Sequence, residues 1–273
     1  VASTPRFGPA VLLCLLLHSA SLAQVLVGPA AGLHVNWMKL HDAESKRLYK
    51  SWPSVSYHVG GSVSFRVQKR FFLQTSLLYA RKGKVVEGEL EPDLRNDAVF
   101  HYLDLPILYT AEFSARTENN LFYKWYLGIG PTLSYWMGGK GVLEHSDLNE
   151  NQINPPGYDL PYKVRFRKDS LDVQPEEMNV SDPNRIQLGF NVSAGIIVEP
   201  DNINKFMVTL RFESMHTYLS PGKGTFGLPN ELAYEDDLRV NSKALFLSFY
   251  YFIDLKTDQR KKGKSTLDKR QRK

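Results

Sequence analysis

Hydrophobic and polar residues alternate with a period of two through most of the chain, in eight separate stretches. The clearest is Ser54–Val67. Val55, Tyr57, Val59, Val63, Phe65 and Val67 take one face, and Ser54, Ser56, His58, Ser62, Ser64 and Arg66 take the other. Ile186–Glu199 repeats the pattern, with Ile186, Leu188, Phe190, Val192, Ala194, Ile196 and Val198 opposite Gln187, Gly189, Asn191, Ser193 and Gly195. Phe206–Tyr218 sets Phe206, Val208, Leu210 and Phe212 against Thr209, Arg211 and Glu213. This period predicts strands with one apolar face. The other five are Val25–Leu40, Phe71–Val86, Phe100–Phe113, Phe122–Met137 and Asn241–Leu255. No stretch shows a convincing helical period.

Alternation alone suits a soluble sandwich or a lipocalin-like barrel as well as a membrane barrel. The apolar faces, however, read as free of charge although 23% of the chain is charged. The connections also alternate in length. Gln68–Arg70, Ser114–Leu121 and Pro200–Lys205 are short; 41–53, 87–97, 138–185 and 219–240 are long. Short and long connections in strict turn are the pattern of outer-membrane barrels, with short periplasmic turns and long external loops. Aromatic residues gather at the strand ends, as interface girdles require. Phe71, Phe113, Phe122, Trp125, Phe206, Tyr251 and Phe252 fall toward the short turns; Trp37, Tyr79, Tyr135, Trp136 and Tyr218 fall toward the long loops. The expected fold class is all-β: an eight-stranded antiparallel up-and-down transmembrane β-barrel over 24–255.

Composition narrows this further. Mean hydropathy is −0.32, and outside residues 1–23 no apolar run approaches the ~20 residues that a membrane helix needs. Arg6, the run Ala10–Leu17 and Ser21-Leu22-Ala23 have the layout of a secretory signal peptide over 1–23. The single cysteine, Cys14, would leave with it, which removes thiol catalysis, disulfides and Cys-ligated metals. The expected location is the outer membrane, in contact with its lipid, with both mature termini periplasmic.

Three stretches carry a resemblance. Leu77-Leu-Tyr-Ala-Arg-Lys-Gly83, His101-Tyr-Leu-Asp-Leu-Pro-Ile-Leu108 and Tyr126-Leu-Gly-Ile-Gly-Pro-Thr-Leu133 resemble the PorT-like outer-membrane barrels of Bacteroidetes. Members of that family carry a similar Y-x-x-K-G in the third strand, Y-L-x-I-P in the fourth and a glycine-rich fifth strand. The resemblance implies the barrel fold and its location. It also suggests a part in type IX secretion and gliding.

Eight strands enclose a lumen that side chains can fill. The inward charges are expected to be Arg66, Lys82, Asp104, Glu112, Lys124, Arg211 and Glu213, forming either an interlocked polar plug or a gated polar pathway. A rim lipid hydrolase would need a nucleophile beside a base, and Ser214 with His216 is the one candidate, Glu213 pointing the other way. His34, His41, His58, His101 and His145 lack zinc spacing. Gly138-Gly139-Lys140-Gly141 lacks the phosphate-cradle frame and reads as a flexible loop start. Within 138–185, Tyr162–Arg167 is expected to form a hairpin with a piece around Leu171–Gln174.

Residues 256–273 hold nine Lys/Arg and two Asp, which leaves 24–255 with a net charge of −3 in a chain of +5. The cations Lys256, Arg260, Lys261, Lys262, Lys264, Lys269, Arg270, Arg272 and Lys273 form a basic periplasmic tail suited to an acidic protein partner rather than nucleic acid. The expected function is a barrel without enzymatic activity or cofactor, serving a secretion or motility assembly through its loops and tail. A narrow solute pore and a rim hydrolase are the alternatives.

Overall fold

The computed structural model describes residues 24–90, 94–116, 122–145, 159–168, 173–174, 176–200, 204–227 and 234–255. The expected signal peptide and basic tail lie outside the described residues. Eight long strands correspond to the eight alternating stretches, with β5 and β6 running well past the expected ends: β1 (Val25–Leu40), β3 (Ser54–Arg66), β4 (Phe71–Gly88), β5 (Arg95–Arg116), β6 (Phe122–Glu144), β9 (Ile186–Val198), β10 (Asn204–Met215) and β13 (Val240–Asp254). They pair in the ring β1-β3-β4-β5-β6-β9-β10-β13-β1, antiparallel at every contact. The closed ring leaves no transmembrane strand edge unpaired, as a hydrocarbon environment demands. The fold is an all-β eight-stranded barrel.

The burial pattern is inside-out. Leu33, Val55, Leu188, Ile196 and Phe249, on the outward faces, are 59, 71, 57, 55 and 55% exposed. Their inward neighbours His34, Ser62, Asn191, Thr209 and Ser248 are at most 2% exposed. The apolar band is what touches lipid. It is shorter than the sequence implied: Lys39, Arg81 and Lys243 share the outward parity near the long-loop end, so the faces are not charge-free along their full length. At the short-turn end the outward aromatics pair off: Phe71 with Tyr109, Phe113 with Trp125 and Phe206 with Tyr251, at ring separations of 5.4, 4.4 and 4.9 Å. Two expected girdle residues point inward instead: Phe252 and Trp136 are both fully buried.

Beyond the band, the long connections build structure of their own. The connection after β1 holds α1 (Ala43–Leu48), which has no counterpart in the alternation pattern, and β2 (Tyr49–Trp52). Asp42 caps α1 by accepting from the backbone N–H groups of Glu44 and Ser45, and Lys46 and Arg47 sit in its last turn. Four further short strands follow: β7 (Leu160–Arg165), β8 (Glu177–Asn179), β11 (Lys223–Phe226) and β12 (Glu235–Asp237). With the upper parts of β4, β5 and β6 they extend the same sheet beyond the ring, in the order β2-β4-β5-β6-β7-β8-β11-β12.

A β-bulge marks where β6 passes from the ring into this extension. Trp136 faces Tyr102 and Gly138 faces His101, so Met137 is the extra residue. Gly138 takes φ +154° there, open to glycine and strained for other residues. Below the bulge β6 pairs with β9; above it β6 pairs with β7. The glycine run is therefore not a flexible loop start. A Cβ on Gly141 would lie 2.4 Å from the Tyr162 ring, so this glycine leaves room for that ring against the strand. The expected hairpin is also corrected. β7 pairs antiparallel with β6 and parallel with β8, while Val173 and Gln174 lie in no strand and 169–172 is outside the described residues.

Candidate functional site

The lumen is filled in layers, each set by which residues the two-residue period turns inward. At the long-loop end lies an apolar cap of Met38, Leu40, Phe100, Tyr102, Trp136, Leu143, Leu160, Tyr162, Val164, Met178, Leu219, Leu238 and Val240, with others. Barrel walls and external strands contribute together. One ion pair is sealed inside it: Lys84 Nζ reaches Asp236 Oδ1 at 2.6 Å and the Asp237 carbonyl at 2.6 Å. Tyr162 Oη donates to Asn96 Oδ1 at 2.7 Å, and burial holds its phenol well above the ordinary pKa, fixing it as a neutral donor.

Below the cap sits the ionic layer. Lys82 Nζ lies 3.0 Å from Asp104 Oδ2 and 2.8 Å from Glu213 Oε1. Arg211 donates to Glu213 Oε2 at 3.1 Å and to Asn191 Oδ1 at 3.2 Å, and lies over the Phe246 ring at 4.0 Å. Two cations and two carboxylates balance, and all four are at most 1% exposed. A histidine relay flanks them. His34 Nε2 donates to the Arg81 carbonyl at 2.7 Å, which leaves its Nδ1 to accept from His58 Nδ1 at 3.4 Å. His58 Nε2 then accepts from Ser248 Oγ at 2.8 Å, so the network assigns one neutral tautomer to each ring.

A second apolar layer of Leu26, Phe72, Leu78, Tyr126, Ile197, Met207, Tyr250 and Phe252 separates these charges from the short-turn end. Only there do the remaining expected lumen charges appear. Lys124 and Lys205 both bind Glu199, Lys205 at 2.8 Å, and Lys205 lies 3.9 Å from Glu112. Half-burial disfavours the charged form of Glu199, but hydrogen bonds from Lys124 and Lys205 outweigh it and hold its carboxyl below the usual range. Arg66 donates to the Lys69 carbonyl and to Gln24. The seven expected charges thus form two groups rather than one network: Lys82, Asp104, Arg211 and Glu213 in the middle, and Arg66, Glu112 and Lys124 at the rim.

The two charged motif residues meet. Lys82 belongs to Tyr79-Ala-Arg-Lys-Gly83 and Asp104 to Tyr102-Leu-Asp-Leu-Pro106, so the stretches that carried the resemblance encode one lumen ion pair. Gly83 matters beside it. Its N–H donates to Asn36 Oδ1 at 2.9 Å and its carbonyl accepts from Asn36 Nδ2, so the Asn36 amide replaces strand pairing where β3 begins. The sequence reading missed the neutral members of the layer: His34, His58, Asn191 and Ser248.

The hydrolase alternative finds no support. Ser214 faces outward on β10, His216 follows the strand end, and Glu213 is committed to Lys82 and Arg211 on the opposite face. Among the described residues no group of three or more His, Cys, Asp or Glu is placed to hold a metal ion.

Comparison with solved structures returns outer-membrane barrels of low sequence identity. OprG from Pseudomonas aeruginosa is 11% identical over 85% of this chain and 93% of its own, with a TM-score of 0.41. Neisserial surface protein A is 13% identical over 85% and 99%, at 0.39. The outer membrane protease OmpT from Escherichia coli is 11% identical over 85% and 96%, at 0.33. No protein of curated function matches the chain. A family model does, over residues 19–214, and it agrees with the closed ring and the lipid-facing band. The chain belongs to the outer membrane protein β-barrel domain family and resides in the outer membrane.

Proposed function

We propose that the protein is a non-conducting, non-enzymatic barrel that anchors an external capped sheet and a basic tail for a secretion or motility assembly. The observation that carries this reading is the burial of the lumen charges. Lys82, Asp104, Arg211 and Glu213 are 1, 0, 0 and 0% exposed between two apolar layers, whereas a solute path would keep such charges wet. Among the described residues these lumen charges are buried and Ser214 has no base facing it, which supports a role carried by the surface. The link to type IX-like secretion and gliding rests on the PorT-like motifs alone.

The tail supplies the testable contact. Its nine cations would bind an acidic periplasmic partner through several exposed pairs, each worth under about 1 kcal/mol and screened by salt. Deleting 256–273 should leave folding and membrane insertion unchanged and remove that partner from gentle detergent extracts. Retention of every partner at moderate salt by the truncated chain would reduce the tail to an extension.

A further inference from the structure

On the outward face of the external sheet, β5, β6 and β7 line a groove of about 580 Å3. Its floor is apolar, with Val99, Val142 and Pro161, and its two ends carry opposite charge. At the membrane-ward end Lys140 and Lys163 are direct register partners on adjacent antiparallel strands. At the far end the same register, one step past Leu143 and Leu160, sets Glu144 opposite Asp159. Like charges directly opposite one another destabilise a strand pair. β6 and β7 carry two such pairs, one of each sign.

Neither pair is neutralised by its surroundings. Arg95 takes Glu87 at 3.1 Å and Asp97 at 4.0 Å, and Glu177 is shared by Arg165 and Arg167, at 2.9 and 3.2 Å. Among the described residues Lys140, Lys163, Glu144 and Asp159 enter no ion pair. Glu144 follows Lys140 by four residues, which is about 13 Å at the rise of an extended strand. Asp97 and Glu176 flank the apolar floor, so four carboxylates face two lysines and the groove as a whole is acidic.

We propose that the groove binds a free, basic peptide of about four residues, a role beyond the one given to the tail. Four residues of extended chain span about 13–14 Å, which matches the distance between the two charged ends. The α-carboxylate of the peptide sits between Lys140 and Lys163, and its α-ammonium between Glu144 and Asp159. One ligand thereby removes both repulsions. Apolar side chains rest on Val142 and Pro161, and a basic side chain reaches Asp97 or Glu176. A purely anionic ligand gains only the lysine end and is repelled by the rest. A loop of a folded protein lacks the two terminal charges and leaves both like-charge pairs unanswered.

The test uses the full chain, tail included, in nonionic detergent, titrated in a calorimeter with the tetrapeptide Ala-Lys-Val-Ala. The same peptide acetylated at its amine, amidated at its carboxyl, or carrying Glu in place of Lys serves for comparison. Wild type should bind the free peptide saturably. Each blocked or acidic form should bind at least about tenfold more weakly, as loss of a charge-assisted contact implies. Two double variants separate the ends. Lys140→Gln/Lys163→Gln should no longer distinguish the amide from the free acid but should still reject the acetylated form; Glu144→Gln/Asp159→Asn should do the reverse. Without peptide, each double variant should unfold at a higher temperature than wild type, because a like-charge pair is gone. No saturable heat with wild type overturns the site. Equal binding of the acetylated or amidated peptide also overturns it, and would assign the groove to a segment of a larger chain.

Discussion

Lys82→Met should be far more damaging alone than with Asp104→Leu. The Lys82 ammonium lies 3.0 Å from Asp104 and 2.8 Å from Glu213. At 3 Å and an effective dielectric of 20, each attraction is about 5 kcal/mol before desolvation is counted. Glu213 keeps Arg211 when Lys82 is lost, whereas no other cation among the described residues pairs with Asp104. The single variant therefore leaves one unpaired carboxylate between two apolar layers, and breaking a buried pair in this way costs about 3–5 kcal/mol. The double variant removes both charges, fills the space with apolar side chains and leaves Arg211–Glu213 balanced, so it should fall within about 1 kcal/mol of wild type.

Urea unfolding in detergent micelles, followed by tryptophan fluorescence on wild type, both single variants and the double variant, closes the cycle. The coupling energy should be at least about 2 kcal/mol, the range expected for contacting residues in one network. A lumen full of water would screen the pair, and the single variant would then cost under about 1 kcal/mol, as exposed ion pairs do. That result, or a double variant no better than Lys82→Met, would refute the buried-layer reasoning.

Three further outcomes follow from the layers. Gly141→Val should push Tyr162 out of place at a cost of about 1–3 kcal/mol, seen as faster hydrogen exchange and proteolysis in β7 with the eight-stranded ring unchanged. Glu199 has a lowered carboxyl pKa when folded, so its contribution is present above its unfolded value and is lost as pH falls through the folded one. Glu199→Gln should therefore be less stable than wild type at neutral pH and converge with it in acid, as unfolding midpoints against pH would show. A variant whose sole tryptophan is Trp136 should emit at short wavelength and resist quenching by brominated lipid, whereas one retaining only outward Trp125 should be quenched strongly.

The ring was legible because lipid contact imposes one rule on every outward position. Val55–Phe65, Ile186–Val198 and Phe206–Phe212 each keep that rule for their whole length, so the number of ring strands followed from parity. The cap obeys no such rule. Its strands β8 and β12 have three residues each, too few to show a period, and its ion pair joins Lys84 to Asp236 across 152 residues of sequence. Trp136 keeps the inward parity of Thr132 and Ser134, and past it the bulge changes the phase of β6, so Gly139, Gly141 and Leu143 follow on the opposite parity and the strand seemed to end at Met137. Charge flagged the lumen residues Lys82, Asp104, Arg211 and Glu213. It could not flag His34, His58 or Asn191, whose roles depend on which strands become neighbours, and Arg81, outward over an aromatic ring, breaks the expectation of charge-free apolar faces.

Conductance of the full chain in planar bilayers of neutral lipid is the most direct test of the sealed lumen. With the ionic layer paired and capped at both ends, wild type should show no discrete current steps above the lipid baseline. Lys82→Met/Asp104→Leu, which keeps the layer balanced and apolar, should be equally silent. Stable, repeated openings by wild type protein would contradict the account, because ions cannot cross while Lys82, Asp104, Arg211 and Glu213 remain paired and buried.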